Sequence, residues 1–301
     1  MKKRIFNAIA VCLLLAGAAW AQQGVPVSIF VSAQPKHGQE VPAIYPEDVM
    51  VFQGDQRMSV TEWAPLQGEQ AGLELFLLID DAIDPSLGLQ FKDLREFIQE
   101  QPSTTRIALG YIRFGSVHVV QELTTDHAAV ANGLRLPIGS GTMASPYIAL
   151  KNLMEDWPET TSRRHIFMIS SGFDALQPGP TNTYLENAIA QAQRMGIQIY
   201  SIYAGRFAQA GDAYWGFRWG QDNLLQLADE TGGDVYWQGL HMPLSFGPYL
   251  DRFAERLKHQ YKLTFLARSH KNPGLERIKL ETEVPHVELV AAEKVYVPAA
   301  R

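Results

Sequence analysis

The sequence has almost no cysteine. Its 301 residues include a single cysteine, Cys12, which lies among the first 21 positions. Residues 22–301 therefore have no disulfide, no thiol chemistry and no cysteine-based metal site. Exported proteins often gain stability from disulfides, so the rest of this chain must be stabilised by packing alone.

Runs of lysine and arginine are missing after residue 4, and the formal net charge is −6. A negatively charged chain is a poor ligand for a phosphate backbone, so we expect no nucleic-acid binding. The sequence also lacks the His-Glu-x-x-His pattern of zinc proteases and the Gly-x-Ser-x-Gly elbow of serine hydrolases. These absences remove several common classes of enzyme.

The N-terminus has the pattern of an export signal. Residues 1–21 begin with the basic residues Lys2, Lys3 and Arg4, continue with a short apolar run and end in Ala19-Trp20-Ala21. This pattern predicts cleavage after Ala21 and a periplasmic or secreted protein without a transmembrane segment after cleavage. The alternative is a retained N-terminal anchor, although the apolar run is short for a membrane span.

Apolar strands alternate with helices across residues 73–240. "LELFLLID" is an apolar strand, and the following helix places Phe91, Leu94, Phe97 and Ile98 on one face. Continuously apolar strands of this kind are typical of a mostly parallel sheet covered on both faces. The predicted fold class is therefore α/β, with a doubly wound and mostly parallel sheet.

Local signals place the ends of several elements. A tight turn is predicted at Gly115-Ser116, and Ser145 is the predicted N-cap of a helix that begins at Pro146. Thr183 and Glu186 form a predicted capping box at the start of a helix that stops at Gly196.

The two flanks are rich in strand patterns. Residues 22–72 and 241–301 contain short β segments, and a helix at the start of the second flank leads the chain back. Neither flank is long enough to bury a good core alone. We expect the flanks to pack together as a β-sandwich-like unit with the α/β domain inserted between them.

Polar side chains follow several of the predicted parallel strands. "DDAID" (80–84) follows the first strand, "GSGTMAS" (139–145) precedes a helix, and "SSG" (170–172) follows the strand "HIFMI". Right-handed crossovers bring strand carboxyl ends to one edge of such a sheet, where ligands bind. We expect these three loops to meet there.

The order and spacing of these elements resemble a von Willebrand factor type A (VWFA) domain. The first element of that family's metal-ion-dependent adhesion site falls on Asp80-x-Ala82-x-Asp84, its threonine on Thr142 and its later aspartate on Ser171. The closing "LADETGGDVYW" is also similar. The segments "AIYPEDVMVFQGDQRMSVTEWAP" and "QYKLTFLARSHKNPGLERIKLETEV" resemble those around the VWFA-related domain of exported Acidobacterial proteins.

The resemblance implies a degenerate metal site formed by Asp80, Asp84, Thr142 and Ser171. Ala82 offers no ligand where the family has a hydroxyl, and Ser171 offers no charge where the family has a carboxylate. Mg²⁺ requires near-octahedral oxygen coordination. We expect binding of Mg²⁺, Ca²⁺ or Mn²⁺ to be weak or absent, and no other cofactor.

Each of these residues also has a plain structural interpretation. Asp84 precedes Pro85 and suits an N-cap, Asp80 suits a buried acceptor of backbone N–H groups, and Thr142 suits a hydrogen bond within its loop. Ser170 and Ser171 suit a turn. If Asp80 and Asp84 lay close together without a cation, repulsion would raise the pKa of one of them.

Asp81 is expected to alternate away from Asp80 toward solvent and to contact a partner. A second predicted contact surface is the segment 205–221, which is long for a connection between a strand and a helix. Arginine and aromatic residues of this kind anchor interfaces, and we predict partner binding by a set in this segment: Arg206, Tyr214, Trp215, Phe217 and Trp219. The alternative is that these rings fold back as core.

The sequence as a whole predicts an exported, non-enzymatic protein-binding module that recognises a protein partner at the carboxyl edge of the VWFA sheet. One alternative is a metal-free structural scaffold of an envelope assembly, with binding through the β flanks. A more remote alternative is a haloacid-dehalogenase-like phosphatase with Asp80 as nucleophile, but Ala82 stands where that family's acid/base residue belongs.

Overall fold

A computed structural model describes residues 24–36, 40–88, 90–139, 141–205, 213–237, 239 and 243–300. The predicted export signal at residues 1–21 lies outside these ranges. Among the described helices, none combines the length and the apolar character that a membrane span requires.

The chain forms two lobes. The strands are β1 (Val25–Pro35), β2 (Val49–Gln53), β3 (Gln56–Pro65), β4 (Leu73–Asp80), β5 (Thr105–Arg113), β6 (Ser116–Thr124), β7 (Arg163–Ser170), β8 (Ile197–Tyr203), β9 (Asp234–Tyr236), β10 (Gln260–Ala267), β11 (Gly274–Thr282), β12 (Val287–Val290) and β13 (Lys294–Val297). The helices are α1 (Gln90–Glu100), α2 (His127–Asn132), α3 (Pro146–Glu155), α4 (Thr183–Met195), α5 (Ala213–Thr231) and α6 (Gly247–Lys258).

The first lobe is a six-stranded sheet in the order β6-β5-β4-β7-β8-β9. All its neighbours pair in parallel except β5 and β6, which form an antiparallel hairpin at one edge. Numbered within the lobe, this order is 3-2-1-4-5-6, the doubly wound arrangement whose strand order reverses beside its first strand. The fold class expected for residues 73–240 is confirmed by this topology.

The central strand explains why the sheet is covered on both faces. Every residue of β4 is buried, so alternate side chains enter two separate cores. One core includes Leu75, Leu77 and the predicted inner face of α1, whereas the other includes Phe76 and Leu78 with α3 and α4. The predicted face of α1 is confirmed, since Phe91, Leu94, Phe97 and Ile98 are all buried.

The second lobe unites the two flanks of the chain in one seven-stranded sheet, ordered β12-β1-β10-β3-β2-β11-β13. Its strands pair antiparallel throughout. The expected association of the flanks is thus present, and the predicted β-sandwich-like unit is confirmed only in part, because the flanks form one curled sheet. A single sheet curls until β1 contacts β13, and its concave face holds a core of its own.

Two predicted element ends need correction. The N-cap of α4 is Asn182, whose side chain accepts from Leu185 N at 3.0 Å, so Thr183 lies inside the helix. Ser145 is the N-cap of α3 and Pro146 its first residue, as predicted, although the Ser145 side chain makes no capping hydrogen bond. The tight turn between β5 and β6 is formed by Phe114 and Gly115, one position earlier than predicted. Gly196 ends α4 in the left-handed conformation, as expected.

A buried polar network joins the two lobes. Arg163 and His165 begin β7, and Nη1 of Arg163 donates to Gln260 Oε1 at 2.6 Å, while His165 Nε2 lies 2.9 Å from the same oxygen. Gln260 begins β10, and its amide donates to Gln198 Oε1 at 2.8 Å and Ser32 Oγ at 3.1 Å. Burial, followed by the charge of Arg163, lowers the pKa of His165 to about 3, so the network holds a neutral imidazole at ordinary pH.

Candidate functional site

The loops that carry the polar side chains meet at one edge of the six-stranded sheet. Gly139 N donates to Asp81 O at 2.8 Å, which fastens the Gly-rich loop to the end of β4. Ala175 N donates to Ala144 O at 2.8 Å, which joins the loop after β7 to the same Gly-rich loop. The predicted convergence of the three loops is therefore present.

Asp80 is the fully buried centre of this edge. Its Oδ1 accepts from Ala82 N at 3.0 Å, and its Oδ2 accepts from Ser170 Oγ at 2.9 Å. Burial raises the pKa of Asp80 to about 6 against the effect of these hydrogen bonds, and the charges of Asp81 and Asp174 add to the rise. Asp80 thus behaves as the buried acceptor that its position at a strand end suggested.

The expectation that Asp81 faces solvent is wrong. Asp81 is fully buried and forms ion pairs with two arginines, Arg113 at 3.1 Å and Arg135 at 2.6 Å. Strand alternation stops at Asp80, where β4 ends, so the period of two no longer decides the direction of the next side chain. Asp81 supports the edge from within and is not exposed to a partner.

Asp84 acts at the start of the next short helical turn. Its Oδ1 accepts from Ser86 N at 2.8 Å, and its backbone N–H donates to Gly205 O at 3.2 Å. The charges that raise the pKa of Asp80 belong to Asp81 and Asp174, so the expected repulsion between Asp80 and Asp84 is not what perturbs this site. The hydrogen bond from Ser86 N to Asp84 Oδ1 is the one expected of a capping residue.

The two remaining predicted metal ligands are Thr142 and Ser171. The backbone N–H of Thr142 donates within its loop to Gly139 O at 3.3 Å, whereas its buried hydroxyl has no hydrogen-bond partner among the described residues. Ser171 is buried, and its hydroxyl accepts a long bond from Phe173 N at 3.4 Å. The neighbouring Ser170 hydroxyl accepts from Gly172 N at 3.1 Å, so this turn is closed by its own serines.

Sequence reasoning missed Asp174, a third buried carboxylate at this edge besides Asp80 and Asp81. Its Oδ1 accepts from Leu176 N at 3.0 Å, and its Oδ2 accepts from Asn182 Nδ2 at 3.2 Å. Its charge also contributes to the raised pKa of Tyr147, which is first a consequence of burial. The available signal in the sequence was an aspartate two residues after "SSG", three positions beyond Ser171.

The donor set does not fit a complete divalent-cation site. The unpaired Thr142 hydroxyl suits a ligand, but both oxygens of Asp80 already accept hydrogen bonds, and Asp84 caps a helical turn. The described residues contain no group of three or more histidine, cysteine, aspartate or glutamate side chains that could hold a metal ion. Octahedral coordination by oxygens needs more than these residues offer.

The predicted aromatic segment is helical over much of its length, because α5 begins at Ala213 rather than after residue 221. Arg206 lies outside the described residues, as do the side chains of Tyr214 and Trp215, whereas Phe217 and Trp219 are half-buried. The helix reaches the same edge as the acid loops. A Cβ added at Gly220 would lie 2.2 Å from Ser171 O, which shows how closely the two backbones approach.

No protein-family model and no curated protein matches the sequence. Solved structures do match, among them an aerotolerance-related membrane protein from Bacteroides fragilis, with 11% identity, 62% of this chain and 98% of that chain covered, and a TM-score of 0.44. The vWF domain of the type V pili tip protein Mfa5 from Porphyromonas gingivalis has 12% identity, coverages of 61% and 94%, and a TM-score of 0.42.

The ArnB paralog VWA2 from Sulfolobus acidocaldarius has 10% identity, covers 91% of this chain and 76% of its own, and has a TM-score of 0.41. These identities and scores are low, so the fold assignment depends on the strand order of this chain itself. That order, with its antiparallel edge hairpin, is a doubly wound arrangement that agrees with the predicted VWFA-like fold. The narrower similarity to Acidobacterial proteins stays a prediction.

Proposed function

We propose that this chain is a non-enzymatic protein-binding module whose contact surface is the carboxyl edge of the six-stranded sheet. The observation that carries the proposal is where exposed apolar side chains lie. Of the eleven large apolar side chains that are clearly exposed in the described part of the chain, six belong to loops at this edge: Phe114, Leu136, Ile138, Leu176, Trp237 and Leu244. Single exposed apolar residues are ordinary, but a concentration of them marks an interaction site.

The environment of Asp80 supports a binding role over a catalytic one. A nucleophilic carboxylate must reach the atom it attacks. Asp80 is fully buried, and its two oxygens are held by Ala82 N and by the Ser170 hydroxyl. This arrangement favours a structural role for Asp80 beneath the edge.

Recognition at this edge, in our proposal, does not depend on a divalent cation. The incomplete donor set around Asp80 and Thr142 supports at most weak binding of Mg²⁺, Ca²⁺ or Mn²⁺. Scanning calorimetry with each cation tests this point, because a ligand that binds the folded state raises the melting temperature. A clear rise with one of the cations, lost in Thr142→Ala, would contradict it.

Export to the periplasm or the exterior is proposed from the pattern of residues 1–21 alone. Mass spectrometry of the protein purified from its native host tests this proposal. The expected mature chain begins at Gln22, and a chain that retains Met1 in the purified protein would show that the signal is not cleaved.

The test of function is cross-linked capture from an envelope extract, with variants at two places. Trp237→Ser combined with Leu244→Ser alters the edge, whereas Tyr45→Ser combined with Tyr296→Ser removes comparably exposed side chains from the antiparallel lobe. We expect the edge variant to lose the captured protein and the control to keep it. The reverse pattern would favour the scaffold alternative, in which binding occurs through the β flanks.

A further inference from the structure

The turn between β5 and β6 places a large aromatic residue where the backbone disfavours one. Arg113 pairs with Ser116, and the two residues between them, Phe114 and Gly115, have φ values of 50° and 75°. Such two-residue hairpin turns prefer asparagine, aspartate or glycine first, because a positive φ is strained for bulky side chains. Phe114 is also 60% exposed, so burial of its ring does not offset this strain.

Strain that folding does not explain suggests selection for function. The turn is not loosely held, because Arg113 donates through Nε and Nη2 to Asp81 Oδ2 at 3.2 and 3.1 Å. Asp81 also accepts from Arg135, at 2.6 Å through Oδ1 and 2.7 Å through Oδ2. One buried carboxylate therefore holds the β5–β6 turn and the loop after α2 against each other.

The two arginines are engaged to different degrees. Arg135 also donates to Leu136 O at 3.0 Å, and its guanidinium lies 3.7 Å from the centre of the Tyr111 ring. Arg113 is a third exposed, and both of its hydrogen bonds to Asp81 come from its Nε and Nη2 atoms. The Nη1–Nη2 side of Arg113 is therefore available to an acceptor from outside, and a guanidinium receives a carboxylate with two parallel hydrogen bonds.

Each arginine is followed directly by an exposed apolar residue. Phe114 follows Arg113, and Leu136, which is 48% exposed, follows Arg135. Because Asp81 binds both arginines, the backbone segments that carry Phe114 and Leu136 lie at the same part of the edge. Its accessible charge is positive, since Asp81 is buried whereas both guanidiniums are partly exposed. We call Arg113, Phe114, Arg135 and Leu136 the arginine–phenylalanine surface.

We infer that the arginine–phenylalanine surface is the docking site for a partner segment that carries a carboxylate beside an apolar side chain. The carboxylate pairs with Arg113, and the apolar side chain packs on Phe114 and Leu136. Arginine and aromatic residues dominate the binding energy of interfaces, and here the two are adjacent on a rigid turn. This inference rests on the proposed function and deepens it, because it states the chemistry of the segment that the edge recognises.

The experiment selects binders to the full mature chain from a displayed library of random peptides. We expect enrichment of aspartate or glutamate next to leucine, phenylalanine or another large apolar residue. A parallel selection on Arg113→Glu is expected to enrich lysine or arginine at the same place, because the charge that reads the peptide has been reversed. Selected peptides with no acidic preference, or unchanged by the reversal, would overturn the inference.

The affinities of two or three selected peptides are then measured by fluorescence anisotropy. Arg113→Ala and Phe114→Asn should each weaken binding about tenfold or more, which corresponds to about 1.4 kcal/mol. Arg277→Ala and Tyr296→Asn are matched controls, because both are exposed and lie in the antiparallel lobe. Controls that weaken binding as much as the test variants would also overturn the inference.

Phe114→Asn has a second readout that separates recognition from folding. Asparagine tolerates the positive φ of this turn, so the variant should melt at the same temperature as the original chain or slightly above it while losing the peptide. A clear fall in melting temperature would show that Phe114 serves folding, and the inference would then be wrong.

The failure of the inference can be distinguished from failure of the proposed function. Trp237→Ser combined with Leu244→Ser alters the opposite part of the edge. Peptides that lose binding in that variant but keep it in Phe114→Asn and Arg113→Ala would leave the edge as the binding surface and refute the arginine–phenylalanine surface. If no peptide is enriched and the edge variant still captures the same envelope protein as the original chain, both statements fail.

Discussion

At the scale of single residues, burial of the ionised Asp80 carboxylate lowers the stability of the folded protein at neutral pH. Its pKa is raised to about 6 from an ordinary value of 3.8, chiefly by burial. The folded state therefore binds the proton more tightly than the unfolded chain. The contribution to stability is complete below about pH 4 and is lost as the pH rises through about 6, because above that range the folded state must bury an ionised carboxylate.

We predict that Asp80→Asn stabilises the protein at about pH 8, by on the order of 1–3 kcal/mol. The amide can still accept from Ala82 N and can donate to the Ser170 hydroxyl, but it carries no charge. Urea unfolding at about pH 8 and at about pH 4 measures the effect, which should shrink at the lower pH. A less stable variant at high pH would show that the ionised carboxylate has a favourable partner, such as a cation.

Replacement of Asp81 should lower the stability of the protein, in contrast to replacement of Asp80. Asp81→Asn leaves Arg113 and Arg135 partly buried without their shared carboxylate, and breaking a buried ion pair in this manner costs about 3–5 kcal/mol. Both arginines are about a third exposed, so we expect about 2–3 kcal/mol by urea unfolding after allowance for solvent screening. Asp84→Asn is the matched control, since asparagine also caps helices well, and should change stability by less than about 0.5 kcal/mol. Equal effects of the two changes would contradict the assigned roles.

The two aspartates also show what sequence reasoning can reach at this scale. The strand pattern of residues 73–80 predicted that Asp80 would be buried at a strand end, because the five continuously apolar residues 75–79 lead directly to it. The direction of Asp81 depends on arginines 32 and 54 positions away, and no local pattern contains that information. Asp174 was missed because loop geometry after β7, rather than spacing from a motif, brings it to the edge.

At the scale of elements, the sequence predicted where parallel strands lie better than it predicted where helices begin. The start of α5 was missed because Gly216 and Gly220 weaken the helical pattern of its first turns. Gly220 is required there by packing rather than by propensity. Its backbone meets that of Gly172, and Gly172 itself has a φ of 67°. The close approach of α5 to the loop after β7 therefore outweighs the low helix propensity of glycine at this position.

We predict that Gly220→Ala destabilises the protein by about 2–4 kcal/mol, because the added Cβ would overlap backbone and cannot be relieved by a side-chain rotation. The first half of α5 should also exchange its amide hydrogens faster, since it must move away from the loop at Ser171. Urea unfolding and hydrogen exchange measure the two effects. Gly274→Ala, which has open space around it, is the control and should differ little from the original chain.

At the scale of the whole molecule, both flanks of the chain join in one antiparallel sheet, and the strands of the α/β sheet lie between them in the sequence. The single curled sheet could not be foreseen, because pairing between β1 and β10 connects residues more than 200 positions apart. Nor did the sequence indicate what joins the lobes. No sequence motif includes Arg163, His165 and Gln260. Their hydrogen bonds depend on how β7 and β10 are placed relative to each other.

The buried polar network between the two lobes predicts that they unfold cooperatively. Gln260 is fully buried and bonds to both lobes, through Arg163 and His165 on one side and Ser32 on the other. Gln260→Ala would remove the acceptor that two cationic or polar groups share and leave buried donors unsatisfied, at about 1–3 kcal/mol for each group. We therefore expect the variant to be less stable by several kcal/mol and the coupling between the lobes to weaken.

Differential scanning calorimetry checks this expectation. The original chain should unfold in one transition, since buried hydrogen bonds from Gln260 to Arg163, His165 and Gln198 join the lobes, whereas Gln260→Ala should melt in two resolved steps. Gln53→Ala is the matched control, because Gln53 also makes two hydrogen bonds, to Arg268, but does so at the surface of the antiparallel lobe. One shifted but unsplit transition in Gln260→Ala would mean that apolar contact alone couples the lobes. Two steps in the control as well would mean that the two lobes unfold independently even when Gln260 is present.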